Sequence, residues 1–235
     1  MKLRLTLALV LATALPAGAF ARPVEVLSKE EGRRVLAFMG QCVVKREHDL
    51  ARAYVMAGGD RQLLEGTGKR LVQGECLPKS SMVSIMSNDT MLGSLAEALI
   101  KADGLSAPAS GFAAVAPLTY AEPTPVRTTD RDGKALPQDR IEAQQRGIAK
   151  KVLVNTRLRF GECIVRREPA LSRAVIDTAI ETDAELTAIK ALAPAMSECL
   201  APGETAGFDR ETLRGAFAVA LYRLSHAATS NGASS

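Results

Sequence analysis

The 235-residue chain has no tryptophan, six phenylalanines, three tyrosines and two histidines. With so few aromatics the core must be built from Leu, Val, Ile, Ala and Met. Ala and Leu rank highest in helix propensity, which points to an all-α fold. His48 and His226 are too few for a Cys-x-x-Cys-His haem site or a His-Glu-x-x-His zinc site, and neither motif occurs. A Gly-x-Ser-x-Gly nucleophile elbow is also missing. The formal net charge is +4, but Lys and Arg occur only in short pairs such as Arg33-Arg34, Lys150-Lys151 and Arg166-Arg167. Without a basic block, nucleic acid is not an expected partner. Gly66-Thr67-Gly68-Lys69-Arg70 lacks the earlier Gly and following Ser/Thr of a phosphate loop. No cofactor is expected, and no metal site. Met82, Met86 and Met91 read as gap-filling core residues rather than soft copper ligands.

Met1 to Ala21 reads as a secretory signal peptide. Lys2 and Arg4 supply the positive start, Leu5 to Leu15 the apolar run, and Ala19-Phe20-Ala21 the small-x-small cleavage pattern. Removing it leaves a net charge of 4 − 2 = +2. No later stretch is long and apolar enough to span a bilayer, so no membrane span is expected after cleavage. The expected location is periplasmic or secreted, an oxidising compartment in which four cysteines pair.

The remaining chain contains an internal repeat. Met39-Gly40-Gln41-Cys42-Val43-Val44-Lys45-Arg46-Glu47 returns 121 residues later as Phe160-Gly161-Glu162-Cys163-Ile164-Val165-Arg166-Arg167-Glu168. Glu75-Cys76-Leu77 returns after 123 residues as Glu198-Cys199-Leu200, and Gly93, Ala96, Ala98 and Leu99 return after 122 as Gly215, Ala218, Ala220 and Leu221. The expectation is two tandem diverged helical modules of about four helices each, spanning 28–102 and 139–225. Ser28-x-x-Glu31 and Asp139-x-x-Glu142 resemble capping boxes at the two starts. Pro169 marks a helix's first turn, and Pro194 interrupts the third helix of the second copy. Residues 103–138, rich in proline, read as a linker, loosely ordered or packed as an extended strap. Residues 226–235 read as a flexible tail.

Equivalent positions should pair alike. The repeat therefore selects Cys42–Cys76 and Cys163–Cys199, one disulfide per module, from the three pairings that four cysteines allow. Closing a loop of such a size stabilises by about 3.8 kcal/mol in the chain-entropy picture. Arg46-Glu47 with Arg52, and Arg167-Glu168 with Arg173, are the most telling of the polar residues that both copies keep. They are candidates either for one anion site per module or for fixing the turn between the first two helices. Asn88-Asp89-Thr90 fits a glycosylation sequon, which matters only in a glycosylating host.

The paired Gly-x-Cys-apolar-Val-basic-Arg-Glu stretches, the Glu-Cys-Leu triplets and the final Gly-x-x-Ala-x-Ala-Leu helix resemble uncharacterised exported bacterial helical proteins of similar length. That resemblance covers most of the mature chain and implies no activity or site. The functional expectation is a soluble, non-enzymatic binding or interaction protein of the cell envelope, taking a protein or small-ligand partner. Its alternatives are a hydrolytic enzyme using carboxylates in an inter-module cleft, and a thiol redox protein.

Overall fold

The computed structural model describes residues 27–60, 71, 75–76, 88–106, 111–200 and 207–232. The expected signal segment, the Gly66–Arg70 stretch, the expected third helix of the first copy, Met82 and Met86 lie outside them, apart from the isolated positions 71, 75 and 76. Among the described residues the chain forms seven α-helices and no strand. They are α1 (Lys29–Met56), α2 (Asn88–Ala102), α3 (Gln138–Arg167), α4 (Pro169–Asp177), α5 (Asp183–Ala191), α6 (Ala193–Glu198) and α7 (Arg210–Gly232).

The Ser28 capping box forms: its hydroxyl accepts from the Glu31 backbone N–H and the Glu31 carboxylate accepts from Ser28 N–H. The second expected box does not. Helix α3 starts at Gln138 after Pro137, whose fixed φ presets the turn, so Asp139 lies inside the helix and caps nothing. Both copies break at the same residue. Glu47 (φ −133°, ψ 46°) kinks α1, and Glu168 (φ −131°, ψ 63°) separates α3 from α4. In the second copy Pro169 removes a backbone donor and completes the break; in the first, His48 does not, and the helix resumes. The third helix of copy two is split into α5 and α6 ahead of Pro194, giving that copy five helices rather than four. The expected flexible tail at 226–235 is corrected as well: α7 continues to Gly232, and His226 packs edge-on against Tyr222.

The same helix pairing is made twice. Helix α1 packs on α2 where Gly40 faces Ser94, and α3 packs on α7 where Gly161 faces Ala216. A Cβ at Gly40 would stand 2.5 Å from the Ser94 carbonyl oxygen, and one at Gly161 2.8 Å from that of Ala216. Both close approaches therefore require glycine. The two pairs then join through α2 and α7, which cross where Gly93 meets Gly215, its own repeat equivalent. Equivalent residues touching each other is what a local two-fold produces. One buried apolar cluster runs through both copies, from Leu36, Met39 and Val43 through Leu95 and Leu99 to Phe217, Leu221 and Tyr222. Burying side chains of that size stabilises by roughly 1.5–3 kcal/mol each.

The disulfides are Cys42–Cys76 and Cys163–Cys199, with Cα atoms 5.5 and 5.9 Å apart. Of the expected linker, the described part from Gly111 onward is an extended strap held against α3. Its own Phe112 and Val115 are buried. Arg166 donates to the carbonyls of Phe112, Val115 and Ala116, Glu162 accepts from Leu118 N–H and the Tyr120 hydroxyl, and Asn155 donates to the Ala121 carbonyl. The strap ends in a tight reversal closed by an isolated bridge between Thr129 and Ala135.

Candidate functional site: a charged interior and an open groove

The arginines both copies keep are held by carboxylates. Arg46 pairs with Glu75 and Arg167 with Glu198, each a residue beside the cysteine that closes its own copy. The two contacts thus join the same stretches of chain that the disulfides tie. All four side chains are well exposed, so the pairs add little stability. Arg173 pairs with Asp177 one turn on, while Arg52 is exposed and adds positive field at His226. These residues are thus not gathered into a site.

Charge is instead concentrated beside the α2–α7 crossing. Arg214, almost fully buried, donates through Nε and Nη2 to both oxygens of Glu97 at 2.7 and 2.8 Å. It also donates to the carbonyls of Val175, Ile176 and Thr178 at the end of α4. Arg33 forks onto Glu185 at 2.6 and 3.1 Å and also reaches Glu181. Glu185 links the two arginines, accepting from Arg214 at 3.2 Å. Burial pushes the Glu97 and Glu185 carboxyls up, but hydrogen bonds from Arg214 and Arg33 respectively outweigh it and hold both below the ordinary range. Such a network fixes one arrangement of the helices more than it adds net stability.

Glu211 lies between the two small cavities that flank the crossing. Its Oε1 is buried and has no hydrogen-bond partner among the described residues. Burial first, and the nearby Asp209 second, raise its pKa. Asp209 is lowered to about 2: burial opposes this, but Thr212 and Lys29 outweigh it.

On the other side of the crossing an open groove is lined by Gly58, Gly59, Leu92, Gly147, Lys150, Lys151 and Val154. It continues past Gly147 and Lys151 between α3 and strap residues Ala121–Pro125. Gly58 and Gly59 take φ of +65° and +77°, the left-handed turn that ends α1 and favours glycine. Beneath that turn is the Arg223 guanidinium, whose Nη1 lies 3.1 Å from where a Gly58 Cβ would stand. Arg223 donates to the Thr119 carbonyl and stacks 5.3 Å from the Tyr120 ring centre. Its Nε and Nη1 are buried without an acceptor among the described residues, and burial lowers its pKa.

A third cluster joins the only two histidines. Asp103, just after α2, accepts from His48 Nε2 at 2.7 Å and from the Tyr222 hydroxyl at 2.8 Å, with His226 Nε2 4.0 Å away. The sequence separates these residues by up to 226 − 48 = 178 positions and gives no pattern that joins them. No group of His, Cys, Asp or Glu suited to a metal ion occurs among the described residues. No protein-family profile, curated protein or solved structure matches the chain.

Proposed function

We propose that the chain is an exported protein of the cell envelope that acts by binding a partner or small ligand rather than by catalysis. Met1–Ala21 supports export, and two closed disulfides with no free cysteine among the described residues suit an oxidising compartment.

The observation that carries the binding reading is the arm formed by the strap and the first half of α3. From Ala116 to Leu153 no residue is buried, although residues 138–153 make about four helical turns. Val152 and Leu153 are each 48% exposed. Only a half-buried stripe of Ile141, Gln144, Ile148 and Lys151 is shielded. A helix segment with so little apolar cover gains little from packing within the chain, and a partner seated on Val152 and Leu153 would supply the packing it lacks.

Hydrogen exchange tests this. Isotope-labelled protein should exchange its 138–153 amides rapidly when pure and slowly in an envelope extract. Val152→Glu with Leu153→Glu should abolish that protection without changing the melting temperature. Equal exchange in buffer and extract would overturn the reading.

One observation favours a hydrolase instead: Glu211, raised, beside Asp209, lowered, is the pattern of an acid and a base set apart by environment. Asp209, however, is engaged by Lys29 and by Thr212 at the start of α7, which leaves it no freedom to act on a substrate.

A further inference from the structure

The groove beside Lys150 and Lys151 has a repeat equivalent inside the molecule, and the two differ in how their charges are satisfied. Val154 and Leu92, which line the groove, correspond at offsets of 121 and 122 to Arg33 and Arg214. Those two arginines line the cavity on the other side of the α2–α7 crossing. The glycine turn at Gly58–Gly59 corresponds to the turn at Ile180–Glu181, where two residues are inserted. Glu181 takes φ +59°, the one left-handed non-glycine among the described residues. That conformation is unfavourable for glutamate, and it delivers the Glu181 carboxylate to Arg33.

The internal site is therefore self-neutralised. Glu181 and Glu185 meet Arg33, and Glu97 meets both Arg214 and Lys101. In the open groove Arg33 and Arg214 give way to Val154 and Leu92, and among the described residues only the equivalent of Lys101 keeps its charge, without an acid beside it. Glu97 is replaced by Val219, so Arg223, the equivalent of Lys101, has no carboxylate partner. Glu181 gives way to glycine. Lys150 and Lys151 stand on the wall, and no described carboxylate forms an ion pair with either. A buried cation without an anion is costly, and the normal remedy is an anion close by. The nearest acids on adjoining elements are already engaged: Glu122 with Arg159, Glu162 with Arg166 and Tyr120, and Asp60 at the groove's far end has a contact of its own.

We propose that this groove binds an anionic ligand, a carboxylate or phosphate head group on an apolar body. The head would take the place that the Glu181 carboxylate fills in the internal site, where the groove has glycine. It would face Lys150 and Lys151, with the Arg223 charge behind the Gly58–Gly59 turn, while Leu92 and Val154 receive the apolar part. This rests on the binding reading above and names its ligand class.

The test titrates the mature, oxidised chain with octanoate, octyl phosphate, octylamine and inorganic phosphate, followed by amide NMR shifts. Saturable binding of octanoate marks a free organic acid as the source, and of octyl phosphate a phosphate head group. Either should move Gly58, Gly59, Lys150 and Lys151, and octylamine should not. Lys150→Glu with Lys151→Glu should weaken binding at least tenfold at unchanged melting temperature, and Lys150→Arg with Lys151→Arg should retain it. Inorganic phosphate binding as well as octyl phosphate would overturn the apolar half of the proposal. Binding unaffected by charge reversal, shifts mapping elsewhere, or no saturation would overturn all of it. Arm protection in extract that survives such a failure would leave the binding reading standing, so the two can fall separately.

Discussion

A methyl group at Gly93 has nowhere to go: it would stand 2.5 Å from the Gly215 Cα, and backbone cannot swing aside as a side chain does. Gly93→Ala must spread the α2–α7 crossing and should cost about 3 kcal/mol or more. For a chain of this size that lowers the melting temperature by roughly 6–12 °C. Gly147, on the arm, has no neighbour within 4 Å of an added Cβ. Gly147→Ala should therefore stabilise, by up to about 1 kcal/mol, because alanine loses less freedom in a helix. Thermal unfolding of the two variants compares the sites directly. Equal effects would mean that the crossing is not as close as described. Gly40, Gly161, Gly93 and Gly215 were all legible in sequence as repeated positions. What sequence could not tell was that Gly93 and Gly215 face each other, because a repeat gives equivalence and not proximity.

Among the elements, α2 and α7 carry both the apolar stripe and the buried charges. Arg214→Leu restores the residue its equivalent, Leu92, already has, but it removes the bidentate partner of Glu97. Breaking a buried pair from one side costs about 3–5 kcal/mol. Glu97→Val with Arg214→Leu removes both charges and should recover a large part of that loss, measured as a positive coupling in a double-mutant cycle. Additive losses would show that Glu97 and Arg214 do not act as a pair. The network leaves a signal in the sequence. Arg33, Glu97 and Arg214 each stand where the other copy has an apolar residue, Val154, Val219 and Leu92. A charge on an apolar stripe marks a buried partner elsewhere, although the pattern cannot name it. The Asp139 box failed for a local reason, since Pro137 had already set the start of α3 two residues earlier.

At the far ends of α1, α2 and α7 the Asp103 cluster gives stability a pH dependence. The hydrogen bond to Asp103 raises the pKa of His48, so its contribution is complete below the ordinary histidine value of 6.5 and is lost as pH rises through the folded value. For Asp103, burial pushes up, but the bonds from His48 and Tyr222 win and lower it. Its contribution is present above 3.8 and is lost as pH falls through the folded value. His226 works the other way, lowered by burial and then by Arg52, and its contribution fades as pH falls below 6.5. Wild type should therefore lose stability relative to His48→Gln as pH rises from 6 to 8, read as the difference between their denaturant midpoints. His48 is 40% exposed, so the effect is modest. A flat difference would exclude the His48–Asp103 contact.

For the whole molecule, the helical class, the disulfide pairing and the ordered repeat were readable because hydrophobic period, cysteine count and equivalence are all local properties of a sequence. The joining of the copies was not, since it depends on which faces meet. Leu36 and Met39 of α1 belong to the same buried cluster as Phe217 and Tyr222 of α7, so neither copy has a core to itself among the described residues. Differential scanning calorimetry of the oxidised chain tests this shared core most directly. A single transition whose calorimetric and van't Hoff enthalpies agree is expected, and Gly93→Ala should move it as one. Two resolved transitions, or a Gly93→Ala variant that shifts only one of them, would contradict the shared core and return the copies to independent modules.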